Sequence, residues 1–188
     1  KIEWADSLVI GPGLGLEKDT MSLVAKLVNE VNKPIVLDAD GLAVFPSLNG
    51  PLDNLVITPH LGELSKILNI ERNILLKNFI QIVKNFMVEY PGVAIIKHVP
   101  ACVFNGQKMS LNSTGNPGLA TAGSGDVLSG IIASFISQKM NSYDACRLSS
   151  YFHGLAADNQ TKYKGVRGLI ASDLPLEIAK VINEYENL

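Results

Sequence analysis

Cysteine is scarce: Cys102 and Cys146 are the only two in 188 residues. They lie far apart in the chain, with no Cys-x-x-Cys spacing and no histidine at metal-ligand spacing. A disulfide framework and a zinc cluster are therefore excluded, and two reduced packing residues in a cytoplasmic protein are expected. Basic residues never form a block of five or more, and 16 basic against 18 acidic side chains leave a formal charge of −2. Neither nucleic acid nor an anionic membrane is an expected partner. Long apolar runs are missing too. The stretch from Val127 to Ile136 is interrupted by serine and glycine and falls short of a membrane span. The opening Lys-Ile-Glu-Trp-Ala-Asp has no signal-peptide pattern. It also lacks an initiating Met and reaches a strand-like segment, Leu8-Val9-Ile10, within a few residues. The expectation is one domain over residues 1–188 whose N-terminal section is removed, carried elsewhere or part of an upstream unit.

What is present is a chain with an ordinary globular composition, 47% apolar and 18% charged. Short apolar runs alternate with longer amphipathic ones, which predicts an α/β fold with a mostly parallel central sheet. Strands are expected at Ser7 to Ile10, Pro34 to Leu37, Leu55 to Ile57 and Val93 to Ile96. A hairpin is expected from Cys102 to Leu111, turning at Asn105-Gly106-Gln107. Helical spacing predicts helices at Thr20 to Val31, from Glu63 to Leu68, and over Ile74 to Glu89, where Pro91-Gly92 stops the last of these. Beyond Ser124 the chain reads as mainly helical, over Asp126 to Gln138, Ser142 to Asn159 and Pro175 to Glu186. Polar and Gly-rich clusters recur after the strands: Gly11 to Gly15, Asp38 to Gly41, Thr58 to Glu63, and Lys97 onward. In open α/β sheets that edge binds ligands.

One segment carries more chemistry than the others. Thr114-Gly115-Asn116-Pro117-Gly118-Leu119-Ala120-Thr121-Ala122-Gly123-Ser124-Gly125-Asp126 leads into an apolar helix. Glycines ahead of a helix let backbone N–H groups converge on one point, where unpaired first-turn amides and the helix dipole create positive potential. Such an anion hole, at Gly123, Ser124 and Gly125, suits a phosphoryl group whose charge builds up in transit. Asp126 stands at its mouth as a candidate base for an attacking hydroxyl. The competing expectation is structural, with Ser124 and Asp126 capping the helix and the glycines forming a tight loop.

Gly123-Ser124-Gly125-Asp126 resembles the anion-hole motif of the ribokinase-like superfamily, in which the Asp is the catalytic base. The string from Asn112 to Gly130 resembles one branch, the ATP- or ADP-dependent NAD(P)H-hydrate dehydratases, departing from its pattern at Leu119 and Ala122. Gly11-Pro12-Gly13-Leu14-Gly15 is similar to that family's turn against the hydrated nucleotide. It does not complete a dinucleotide fingerprint, because Leu16 stands where the last Gly should fall. Val36 to Leu42, with Ala43 in place of a frequent Asn, and Thr58-Pro59-His60-Leu61-Gly62-Glu63 resemble further family motifs. Tyr151 to Ala156 fits a later family helix, in which His153 is expected to pack or hydrogen-bond rather than to catalyse.

The resemblance implies a ribokinase-like three-layer α/β/α fold lacking its usual N-terminal section. It implies a carbon–oxygen lyase that removes water from hydrated NADH or NADPH by transient phosphorylation of the 6-hydroxyl, using ATP or ADP and Mg2+. Asp126 would be catalytic; Gly13, His60 and Asp126 would bind substrate; and Glu63 would support the metal indirectly. The nucleotide would lie on Lys97-His98-Val99-Pro100-Ala101 and Gly125. That loop departs from the family's Lys-Gly-x-x-Thr, because His98 adds bulk, Pro100 has no N–H and Ala101 has no hydroxyl. The expected partners are the hydrated dinucleotide, further copies of the chain in a homo-oligomer, and an epimerase domain supplied separately. Two alternatives stand beside this reading: a ribokinase-like kinase of a vitamin-type alcohol, which more often has Asn at the position of His60, and a non-catalytic nucleotide-binding fragment.

Overall fold

The computed structural model describes residues 2–106 and 108–187. Six strands form one sheet in sequential order: β1 (Leu8–Ile10), β2 (Ile35–Leu37), β3 (Leu55–Ile57), β4 (Val93–Ile96), β5 (Cys102–Asn105) and β6 (Lys108–Leu111). β1 to β4 run parallel, and β5 and β6 form the expected antiparallel hairpin, with Asn105 opposite Lys108. Gln107, part of the expected turn, lies outside the described residues. The central strands are short and wholly apolar because both faces are covered. Along them, Ile35, Leu37, Leu55, Ile57, Ala94 and Ile96 face one core, and Val36, Val56, Val93 and Ile95 face the other.

The first core is roofed by α1 (Lys18–Glu30), a 3-10 segment over Ala39–Ser47, α2 (Leu61–Leu68), α3 (Arg72–Lys77) and α4 (Phe79–Glu89). All the crossovers between β1 and β4 therefore lie on one side. Right-handed crossovers on one side lay successive strands down in one direction, which accounts for the sequential order. The opposite face is covered by α5 (Ser124–Ser137) and α6 (Ser142–Lys164), with α7 (Leu174–Glu186) against α6. Leu128, Ile132 and Ile136 recur every four residues and give α5 its buried stripe. The result is the three-layer α/β/α arrangement expected. Cys102 and Cys146 are buried free thiols, as expected of packing residues.

The single helix expected over Ile74 to Glu89 is two. Asn78 leaves the helical conformation at φ −124° and ψ 28°, and its side chain donates to the Ile74 carbonyl at 3.4 Å. A short amide side chain that competes for the backbone breaks a helix without disturbing its apolar spacing. Leu75 and Val83 consequently still face the same core.

Candidate active site at the strand ends

Because β1 to β4 are parallel, the four polar clusters that follow them share one edge of the sheet. The glycines there are fitted to one another. A Cβ on Gly11, which has φ +132°, would lie 1.7 Å from the Asp38 carbonyl oxygen, and one on Gly41 would lie 2.8 Å from that of Ile10. The two turns are thus locked together by backbone contact that a side chain would prevent. Asp40 adds a hydrogen bond from Gly15 N–H at 2.9 Å. Gly13, at the tip, is exposed with φ +68°.

His60 and Glu63 form a reciprocal cap at the start of α2. His60 Nδ1 accepts from the Gly62 and Glu63 amides at 2.9 and 3.1 Å, and Glu63 Oε2 accepts from the His60 amide at 2.7 Å. Acceptance at Nδ1 places the ring proton on Nε2, which lies 3.4 Å from Glu63 Oε1 and faces solvent. The sequence hints at this role only in that His60 follows a proline at a helix entry and Glu63 stands three residues on. The cap leaves the His60 ring fixed and largely exposed, while the His60 backbone is bridged to Lys97 across the β3 and β4 ends.

Lys97 is the member of the Lys97 to Ala101 loop that reaches the start of α5. Its ammonium lies 2.7 Å from Asp38 Oδ1. The site of a Cβ on Gly125 would be 3.3 Å from that ammonium and 3.6 Å from Asp38 Oδ2. His98 instead rests against the Phe79 ring, 5.4 Å between centroids, on the opposite face of the sheet from α5. Val99 and Pro100 are exposed and Ala101 is half-buried.

Sequence reasoning places Asp38 in the polar cluster after β2 but gives it no role of its own. It is 1% exposed. Oδ1 also accepts from the Ala39 amide at 2.8 Å, and Oδ2 accepts from Ser129 Oγ at 2.7 Å. Burial raises its pKa, but the Lys97 charge and the hydrogen bonds outweigh burial and hold the carboxyl below its usual range. Its partners lie 59 and 91 residues away along the chain, so no local pattern signals the cluster.

The start of α5 is built as an anion site. Gly123 is the helix cap at φ +84°, and neither Ser124 nor Asp126 caps the helix with its side chain, so the capping expectation fails. Among the described residues, the N–H groups of Gly123, Gly125 and Asp126 have no acceptor; Val127 N–H makes the first helical i to i−4 bond, to the Gly123 carbonyl. Ser124 faces inward. Its amide reaches the Thr121 carbonyl at 3.3 Å, its hydroxyl donates to the Leu119 carbonyl at 2.8 Å, and its own carbonyl accepts from His153 Nε2 at 3.0 Å. Burial lowers the His153 pKa to about 4, opposed by the Ser124 hydrogen bond and assisted by nearby Lys97. His153 is therefore a neutral donor, in keeping with its expected packing role. Asp126 is exposed at the mouth of the site.

The approach to this turn is pinned to α6. Thr114 Oγ1 donates to the Tyr151 carbonyl at 2.7 Å, and Asn112 Nδ2 donates to that of Ser150 at 3.0 Å. Asp158, also unforeseen, accepts from the Gly115 amide and from Asn116 Nδ2, both at 2.8 Å. Gly154 permits the contact, since a Cβ there would lie 2.3 Å from Thr114 Oγ1.

The sequence pattern of NAD(P)H-hydrate dehydratase matches residues 1–180. The chain belongs to the NAD(P)H-hydrate dehydratase family. Among its relatives is the bifunctional NAD(P)H-hydrate repair enzyme Nnr of Vibrio cholerae, 36% identical over 97% of this chain and 37% of the relative. The chain thus spans little more than a third of the length of the curated relatives it matches. In three dimensions it is similar to the ADP/ATP-dependent NAD(P)H-hydrate dehydratase of Bacillus subtilis co-crystallised with ATP/Mg2+. The TM-score is 0.84 at 27% identity, over 96% of this chain and 65% of that one. A ribokinase-like superfamily protein of Enterococcus faecalis shares the fold, with a TM-score of 0.84 at 23% identity, over 98% of this chain and 65% of that one. In this dehydratase-family chain, Gly123-Ser124-Gly125-Asp126 is the turn with the free amides.

Proposed function

We propose that the chain dehydrates hydrated NADH or NADPH at the expense of ATP or ADP, with the start of α5 as the phosphoryl-transfer site. The observation that carries this reading is the group of free Gly123, Gly125 and Asp126 amides beside an exposed carboxylate and the Lys97 ammonium. Free amides at a helix start fit a phosphate, and the absent Cβ of Gly125 leaves room for close approach.

When bound, ATP or ADP supplies the phosphoryl group and Mg2+ offsets its charge. Among the described residues no three His, Cys, Asp or Glu side chains group to hold a metal. Phosphates and water would therefore be its main ligands, with Glu63 supporting them at one remove. Asp126 accepts the proton of the 6-hydroxyl as that oxygen attacks the terminal phosphorus and the phosphoanhydride bond breaks to release ADP or AMP. The amides and Lys97 stabilise the charge on the transferred group, and Gly125, with the Lys97 to Ala101 loop, carries the nucleotide. Gly13 and His60 hold the hydrated dinucleotide opposite. Phosphate then leaves, driven by the ring-nitrogen lone pair, and loss of the neighbouring ring proton restores the reduced nicotinamide. We extend the reading to a cytoplasmic homo-oligomer served by a separate epimerase. No helix among the described residues is long and apolar enough to cross a membrane.

A vitamin-alcohol kinase would use the same amides and base, so family membership, not geometry, favours the lyase. The test is to incubate the protein with hydrated NADH or NADPH, Mg2+ and either nucleotide. Recovery of the reduced-nicotinamide absorbance, with phosphate released, is expected. Nucleotide binding without recovery, or phosphorylation of a vitamin alcohol alone, would overturn the lyase.

A further inference from the structure

The Asp38–Lys97 pair, buried at the carboxylate and half-buried at the lysine, sits where stability alone does not require it. Taking the Asp38 carboxylate out of water is costly, and apolar replacements of such pairs are often neutral or stabilising. Its connections point elsewhere. Gly125 and Ser129 are four residues apart and share one face of α5. Ser129, fully buried, donates to Asp38 Oδ2; Asp38 Oδ1 takes the Lys97 ammonium; and that ammonium returns to the empty Cβ position of Gly125. The circuit closes on the turn with the free amides. Thr58, at the end of β3 between the strands that carry Asp38 and Lys97, is 0% exposed, and its hydroxyl helps to hold the Asp38 carboxyl below its usual range. The Lys97 ammonium is thus held by Asp38, which Ser129 ties to α5, and three-quarters of the lysine side chain is buried away from bulk water.

We propose that Asp38 and Ser129 are positioning residues that hold the Lys97 ammonium under Gly125, so that a full positive charge is in place before the phosphoryl group arrives. This rests on the phosphoryl-transfer reading above. A lysine left free would lose rotamer entropy on each binding event, whereas one already clamped does not.

The test compares wild type with Asp38→Asn and Ser129→Ala, the second removing one hydrogen bond and little volume. In each, kcat and KM are measured for MgATP or MgADP and for the hydrated dinucleotide. The Lys97 ammonium signal is followed by 15N NMR as nucleotide is added. Expected is a kcat about tenfold lower in Asp38→Asn and about threefold lower in Ser129→Ala, with the dinucleotide KM within about twofold. The Lys97 signal, sharp and nucleotide-responsive in wild type, should broaden in both variants. If Asp38→Asn does not fold, the kcat and the Lys97 signal of Ser129→Ala decide between the outcomes. Wild-type kcat and an unchanged Lys97 signal in a folded variant would overturn the positioning role while leaving the phosphoryl site intact. A wild-type Lys97 signal blind to nucleotide would overturn both.

Discussion

Asp126 is exposed and has no side-chain partner among the described residues, so its carboxylate adds little to the fold beyond a first-turn charge on the helix dipole. Asp126→Asn should leave the thermal midpoint within about 2 °C of wild type, while turnover falls at least about a hundredfold. A melting curve and a rate on one preparation check both. His153 is expected to behave in the opposite way, because its buried ring serves the fold through the Ser124 carbonyl. Its pKa is depressed to about 4 in the folded chain. Between about pH 6.5 and 4 the unfolded chain therefore binds a proton that the folded chain refuses. Stability should fall as pH drops through that window, by about 3 kcal/mol in total, and His153 adds no further slope below it. Urea midpoints across pH 4 to 7 test this, and His153→Gln should flatten the trend. Asp38 acts lower still. Its carboxylate is depressed, so its contribution is full above the ordinary Asp range and is lost as pH falls through the folded value.

At the scale of elements, two glycines on neighbouring helices should respond in opposite ways. Gly154→Ala in α6 drives a methyl into Thr114 and the Gly115 amide, both parts of the pinned approach to the active turn. A loss of about 1–3 kcal/mol is expected, with activity falling alongside. Gly130 lies in α5 with nothing within 4 Å of its missing Cβ. Gly130→Ala should gain about 0.5–1 kcal/mol by relieving backbone entropy, with turnover unchanged. Denaturant titration distinguishes the two. Most elements were legible in the sequence because their signals are local: wholly apolar runs for β2 to β4, a stop at Pro91-Gly92, and Asn-Gly at the hairpin. The Asn78 break was not, since apolar spacing runs through it unaltered. Of the candidate site, Gly123 to Asp126, Gly13, His60 and Lys97 were legible as motifs. Asp38, Ser129 and Asp158 act through partners distant in sequence, and only the fold brings them together.

At the scale of the whole molecule, one-sided crossovers set the strand order and leave α5 to bring the anion site over the far face of the same sheet edge. Three layers thus converge on one rim: two strand-end turns locked backbone to backbone, a capped histidine beside the lysine, and a helix start with unspent amides. A ligand that binds this rim only when folded should raise apparent stability. MgATP or MgADP at a hundred times its dissociation constant should add about 2.7 kcal/mol. The most direct measurement is the backbone amide spectrum during titration with magnesium and nucleotide. The Gly123, Gly125 and Asp126 resonances should show the largest shifts in the chain and saturate together. Unmoved amides at those three positions, under conditions where nucleotide binds, would contradict a phosphoryl site at the start of α5.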